Sequence, residues 1–182
     1  MLKFSEQSSQ FKTWSFDIDG VINFYPSVWL DYIFQETKYH YETKDQARLI
    51  LGEDYWILKE KYRLSDYKYQ VPVNPDALYV ITALKKRGDR VIISTTRPFD
   101  SYPLMKSQTK VWLDANGILF DLLISKKELY KENFDIHIDD ELKDILQVKS
   151  KVNNKKFILL SSTEINSEVD DIENVSSLRE LI

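Results

Sequence analysis

Trp14-Ser15-Phe16-Asp17-Ile18-Asp19-Gly20-Val21-Ile22-Asn23 is the stretch on which the reading of this chain turns. Apolar residues lead into two aspartates separated by one residue, and a glycine follows. That is the pattern of a buried strand that ends by pushing acidic side chains into a loop. Burying two carboxylates without partners is costly, and a divalent cation at the strand end removes the cost, because hard oxygen ligands are what Mg²⁺ takes. In an open α/β sheet, ligands gather outside the carboxyl ends of the strands. D-x-D-G alone also describes a solvated turn, so the reading depends on how the later strands end.

Working outward, residues 1–12 read as a polar lead-in and residues 13–18 as the first strand. Beyond the acidic loop, Val28, Leu30, Ile33 and Phe34 recur at helical spacing, and Thr43-Lys44-Asp45-Gln46 has the form of a capping box opening a second helix that Gly52 stops. A further helix spans residues 55–62, and Val71-Pro72-Val73 closes the segment in extended backbone. Twelve of the chain's 24 aromatic residues lie between Phe24 and Tyr69, a density that sets residues 24–73 apart as a small helical cap whose rings supply its core.

Asn74-Pro75 then starts a helix closed by Gly88, and residues 90–95, R-V-I-I-S-T, form a second strand. A helix at residues 107–116, a strand at 120–125, a strand at 134–138, a helix at 141–148 and a strand at 156–160 follow. An acidic loop and a short helix near 175–181 complete the chain. This order predicts an α/β, Rossmann-like, mostly parallel sheet of about five strands flanked by helices. The core is residues 1–23 and 74–182, with the cap inserted after the first strand.

Length and composition agree. The 182 residues suffice for one domain with an inserted subdomain, and the absence of cysteine excludes disulfides, thiolate zinc sites and cysteine nucleophiles. No segment approaches the ~20 apolar residues of a membrane helix, and none has signal-peptide form. A soluble, cytoplasmic protein is expected, with no membrane partner. A net charge of −4 argues against a nucleic-acid-binding face while leaving room for a small cationic phosphate pocket.

The strand ends carry, in order, Asp17 and Asp19, then Thr95, then Lys127, then Asp139 with Asp140. Acid, hydroxyl, cation, acid in this order resembles the haloacid-dehalogenase-like superfamily of phosphohydrolases, whose four motifs appear here as D-I-D-G-V, V-I-I-S-T, a lysine after F-D-L-L-I-S, and I-D-D. D-I-D-G-V-I followed by a helical insertion is similar to the 5'(3')-deoxyribonucleotidase group. T-K-V-W-L-D-A-N-G-I-L-F-D-L-L-I-S-K-K is similar to small bacterial members acting on sugar or nucleoside phosphates.

The resemblance implies a Mg²⁺-dependent phosphatase of small phosphomonoesters, a nucleoside monophosphate first and a sugar phosphate as the alternative. Asp17 would be the nucleophile that forms an aspartyl-phosphate, and Asp19 the acid and base. Asp17, the Asp19 carbonyl, and Asp139 or Asp140 would hold the metal. Thr95 would bind a phosphoryl oxygen, Lys127 would offset the charge, and Arg97 would contact substrate. Phe24, Tyr25 and Trp29 are the cap rings nearest the nucleophile in sequence, placed to stack on a base or sugar.

Several points stay open in the sequence. Ser94 competes with Thr95, and Lys126 and Lys131 compete with Lys127. Asp139 and Asp140 could also cap a helix. His137 reads as a buried structural residue and His40 as surface. A homodimer is compatible with the sequence. The competing function classes are a phospho-accepting receiver domain, disfavoured because the third strand ends in Ser125, and a non-catalytic binding domain, disfavoured by the intact D-x-D.

Overall fold

The computed structural model describes residues 11–161 and 171–182. The expected polar lead-in falls largely within residues 1–10, and the acidic loop within 162–170, outside the described residues.

Six parallel strands form one sheet: β1 (Thr13–Phe16), β2 (Arg90–Thr95), β3 (Leu122–Ser125), β4 (Ile136–Asp139), β5 (Lys156–Leu160) and β6 (Ile172–Val175), in the spatial order β3-β2-β1-β4-β5-β6. The sixth strand was not anticipated, because Ile172-Glu173-Asn174-Val175 offers only two apolar residues and lies at the sheet edge beside β5. The short helix after it is a 3₁₀ turn, Leu178–Leu181, opened by a capping box between Ser177 and Glu180.

Helices α1 (Ser27–Thr37), α2 (Lys44–Leu51) and α3 (Glu53–Leu64) occupy the insertion. Helices α4 (Pro75–Arg87), α5 (Met105–Ala115) and α6 (Leu142–Lys149) flank the sheet. The local signals behave as their chemistry requires. Thr43 accepts from the Gln46 amide at 3.1 Å, Asn74 accepts from the Asp76 amide at 3.0 Å, and Gly88 closes α4 at a φ of 97° that a side chain would disfavour.

Strand alternation divides the interior. Trp14, Phe16, Val91 and Ile93 point to one face and pack with Val80, Ile81 and Leu84 of α4 and Leu113 of α5. Ile92 faces the other way, where Phe134, Phe157, Ile145 and Val148 cluster under α6. Both faces are covered, so the strands read as continuous apolar runs. Trp29, Tyr32, Ile33, Ala47, Tyr55, Leu58 and Tyr62 form a third, separate apolar cluster within the insertion. The chain leaves for that insertion and returns from it side by side. The Phe24 amide donates to the Pro72 carbonyl at 3.2 Å and the Asn74 amide to the Ile22 carbonyl at 2.8 Å. This pairing suspends the helical segment over the end of β1.

Candidate active site

At the carboxyl end of β1 the chain turns tightly, with the Ile22 and Asn23 amides both donating to the Ile18 carbonyl. Gly20 sits in this turn at φ 93°, and a Cβ there would lie 2.0 Å from an Asp140 carboxylate oxygen. Only glycine lets the loop after β1 come this close to the carboxylates after β4.

Asp17, Asp139 and Asp140 each direct a carboxylate oxygen into one space, the three atoms lying within 4.8 Å of one another. Asp17 and Asp139 are buried. Lys126, itself buried, reaches Asp139 at 2.6 Å, Asp17 at 3.0 Å and Asp144 at 3.1 Å. One ammonium cannot neutralise this much acid. Burial, with Asp139 and Asp19 nearby, holds the Asp17 carboxyl well above the usual carboxylate range despite Lys126. Burial and the neighbouring Asp139 and Glu141 push Asp140 up to about 7. Asp139 goes the other way: burial opposes its ionisation, but His137 and Lys126 hold it below the ordinary value. Oδ1 of Asp140 is buried without a hydrogen-bond partner, and Oδ1 of Asp17, also buried, has only the shared Lys126 ammonium at 3.0 Å, outside hydrogen-bond geometry. Three under-compensated carboxylates converging on one point are the donor set that a hard divalent cation fits.

Asp19 has a different environment. Arg97 clamps it in two places, Nη2 donating to Oδ1 at 2.7 Å and Nε to Oδ2 at 3.1 Å, and Asn23 donates to Oδ1 at 2.9 Å. Burial works against the carboxylate, yet Arg97 and Asn23 keep it ionised below its ordinary range. Arg97 is thus a partner of Asp19, further fixed by Nη1 on Thr109 at 3.2 Å. It also lines the cleft above.

Three groups of expected residues sit differently from what their sequence positions suggested. Lys127 is exposed and pairs with Asp100, while Lys126 occupies the carboxylate centre. Alternation continued past Ser125 would turn Lys126 away from the site, but the strand ends at Ser125 and a 3₁₀ turn, Lys126–Lys131, rotates the chain. Lys131 lies at the surface near Glu128. Thr95 is wholly buried, and its hydroxyl accepts from the Arg97 amide at 3.2 Å; the exposed Thr96 is the hydroxyl residue lining the cleft. Ser94 is committed to Ser15 at 2.9 Å. Trp29 is wholly buried in the insertion's cluster, donating to the Tyr55 hydroxyl at 3.2 Å, and Phe24 is half exposed without lining the cleft. Tyr25 alone of the three rings faces it.

His137 is wholly buried, and its neighbours were invisible in the sequence. The hydroxyl of Ser15 approaches His137 Nδ1 at 3.1 Å, and Nε2 approaches Asp139 at 3.2 Å. With Ser94, these make a polar chain across β2, β1 and β4 beneath the acidic cluster. His40 stacks on Phe34 at 3.9 Å, away from the cleft.

A cleft of about 220 Å³ separates the sheet edge from the insertion. Its floor is Asp17, Asp19, Asp140, Thr96 and Arg97, and its opposite wall is Tyr25, Lys44, Lys59, Tyr62, Arg63 and Lys68. Sequence reasoning missed this basic wall. The available signal was Lys59, a lysine set between Tyr55, Leu58 and Tyr62 on the buried face of α3.

No protein-family model and no curated protein matches the chain. Solved structures do match its fold, haloacid-dehalogenase-superfamily hydrolases among them. A protein described as a predicted phosphatase from Clostridium acetobutylicum aligns over 94% of this chain and 96% of its own, with TM-score 0.64 and 14% identity. YfnB from Bacillus subtilis, solved bound to magnesium, aligns over 94% and 96% with TM-score 0.63 and 14% identity. CbbY from Rhodobacter sphaeroides, solved in complex with xylulose 1,5-bisphosphate, aligns over 94% and 96% with TM-score 0.62 and 13% identity. No helix among the described residues is long and apolar enough to cross a membrane.

Proposed function

We propose that this chain is a Mg²⁺-dependent phosphatase that hydrolyses small phosphomonoesters through an aspartyl-phosphate on Asp17. The observation that carries this reading is the convergence of Asp17, Asp139 and Asp140, with an Asp140 oxygen left unpartnered and one Lys126 ammonium shared between Asp17 and Asp139, at the carboxyl edge of the sheet. Asp17, Asp139 and Asp140 would hold the ion, which when bound supplies charge that lets a carboxylate and a phosphate dianion approach. The carboxylate of Asp17 attacks phosphorus, and the bond to the leaving alkoxide breaks. Asp19, which Arg97 and Asn23 hold ionised in the free site, must first take up one proton; it passes that proton to the alkoxide and regains one from the water that cleaves the phosphoenzyme, so the proton count closes over each later turnover. Arg97 fixes the position of the Asp19 carboxylate in both steps. Lys126 offsets the negative charge gathered at the nucleophile, and Thr96, at the cleft floor, is the hydroxyl available to a phosphoryl oxygen.

Among substrates, the geometry favours a sugar phosphate. The cleft is smaller than the ~300–1,000 Å³ usual for drug-sized ligands, and two of the three rings proposed to stack on a base do not face it. The sugar bisphosphate bound by the similar CbbY structure supports the same class. A nucleoside monophosphate remains the second reading, carried by the Tyr25 and Tyr62 rings on the cleft wall.

The test is hydrolysis of p-nitrophenyl phosphate. Activity should require Mg²⁺, vanish on chelation, and fall at least ~1,000-fold in Asp17→Asn with the fold retained. Wild-type turnover in excess chelator, or in Asp17→Asn, would overturn the assignment.

A further inference from the structure

The charges around the cleft are sorted. Acidic groups lie on the sheet side, where Lys126, Arg97 and Lys143 are paired with them. The insertion side presents Lys44, Lys59, Arg63 and Lys68. Lys44 is occupied by Glu141. Among the described residues, Lys59 and Lys68 have no carboxylate at salt-bridge distance, and Arg63 has only Glu60, at 3.9 Å.

Lys59 is held in a socket. Its ammonium donates to the Tyr25 hydroxyl at 2.7 Å and lies 4.3 Å from the ring centre of Trp29, 4.7 Å from that of Tyr25 and 5.2 Å from that of Tyr62. These faces attract a cation, but they also strip it of water. Burial, reinforced by Arg63, Lys44 and Arg97, drives its proton affinity down to about 7, with Asp19 as the opposing influence. Lys68, which also lines the cleft, is buried, donating to the Ser65 carbonyl at 2.8 Å and to the Arg63 carbonyl. Burial and Arg97 lower Lys68 too. Three cationic side chains therefore line one wall, Lys59 against loss of solvent and repulsion from Arg63, and among the described residues no carboxylate lies at salt-bridge distance from Lys59 or Lys68. A ligand anion would relieve them.

We propose that this wall, formed by Lys59, Arg63 and Lys68, receives a second anionic group of the substrate, so that the preferred phosphomonoester carries a further phosphate or carboxylate at its far end. The inference rests on the phosphatase reading, which places the scissile phosphate on the opposite, acidic floor. A substrate spanning the cleft then meets cationic groups at both ends, and the polarity of the cleft fixes which phosphate is cleaved.

The experiment is calorimetric binding to the full chain in chelator, where turnover is absent, with glucose 1-phosphate against glucose 1,6-bisphosphate and glycerol 3-phosphate against 3-phosphoglycerate. In the wild type the doubly anionic member of a pair should bind at least tenfold more tightly. A gap in the first pair alone identifies phosphate as the second group, and in the second pair alone, carboxylate. Lys59→Met and Lys68→Met should each shrink the gap to within threefold, and kcat/KM ratios with Mg²⁺ should shrink likewise. If Lys68→Met does not fold, Lys59→Gln replaces it, and the wild-type comparison stands by itself. Equal affinity within both pairs, or a gap untouched by the substitutions, overturns the subsite. Hydrolysis of p-nitrophenyl phosphate without any gap removes the subsite and keeps the phosphatase. A gap without hydrolysis of any phosphomonoester removes the phosphatase and keeps the anion site.

Discussion

Lys59→Met should make the protein more stable at neutral pH while costing it substrate discrimination. The ammonium titrates near 7 in the fold, against an ordinary value of 10.5. At ~1.4 kcal/mol per pH decade, that gap corresponds to about 5 kcal/mol against the folded state. That penalty of about 5 kcal/mol is net, with whatever the ring faces and the Tyr25 hydrogen bond return to the ammonium already set against its burial. Methionine fills nearly the same volume and carries no charge to desolvate, so it should recover most of this. The sign with pH follows from proton counts. Below about 7 both folded and unfolded lysine are protonated, and the penalty is full. Between 7 and 10.5 the unfolded chain holds the extra proton, so wild-type stability rises with pH and the advantage of the variant fades. Urea unfolding at pH 6.5, 8 and 9.5 measures this directly. A variant less stable than wild type at pH 6.5, or an advantage that does not shrink by pH 9.5, would refute the account of Lys59 as an uncompensated buried cation.

Lys126→Met should destabilise the fold by roughly 3–5 kcal/mol at pH 7, because Asp17, Asp139 and Asp144 lose their shared cation, whereas Lys127→Ala should stay within ~0.5 kcal/mol. Urea midpoints compare the two, and equal losses would return Lys127 to the site. Asp19→Asn should reduce hydrolysis of alkyl phosphates at least ~100-fold more than formation of phosphoenzyme from p-nitrophenyl phosphate, whose leaving group needs no proton; equal losses in rapid-mixing assays would remove Asp19 from proton transfer. Asp89, buried at the start of β2, accepts from Trp14 Nε1 at 2.9 Å and from the Lys12 amide at 3.1 Å, and Arg87 also helps to hold it below the usual carboxylate range despite burial. Asp89→Asn should therefore cost about 1–3 kcal/mol at pH 7, a difference retained above the ordinary carboxylate value and lost as pH falls through the lower folded one. A difference that persists unchanged at pH 2.5 would contradict this.

Much of the architecture was written in local signals. Thr43, Gly52, Asn74-Pro75 and Gly88 mark helix ends through their own backbone chemistry, and β2 matches its predicted span residue for residue. The order of chemistry along the strand ends was equally readable, because polar residues after apolar runs must emerge at a sheet edge. Side-chain direction was not. Choosing Lys127 assumed that β3 kept alternating past Ser125, and only the 3₁₀ turn decides otherwise. Choosing Trp29 and Phe24 used nearness in sequence, but on α1 the Trp29 ring turns inward to Tyr55 and Tyr62, leaving Tyr25 at the cleft. The link from Ser94 through Ser15 to His137 and Asp139 joins residues more than a hundred positions apart, which no local pattern encodes.

The position of β1 has a consequence for how the chain is made. Among the six described strands it comes first in chain order, yet it lies between β2 and β4. Its pairing with β4 joins Trp14 to Ile136 and Phe16 to Ile138, and the Asp17 amide completes it on the Ile138 carbonyl at 3.0 Å. At ~5–20 residues per second, a ribosome needs roughly 6–25 s to deliver the second neighbour after the first strand has appeared. Through that interval one edge of an apolar strand waits without its partner, a state prone to pairing with other chains. The two aspartates at its end place charge beside that waiting edge, where charge discourages such pairing. The carboxylates of the candidate site thus also put charge beside the open edge of the nascent strand.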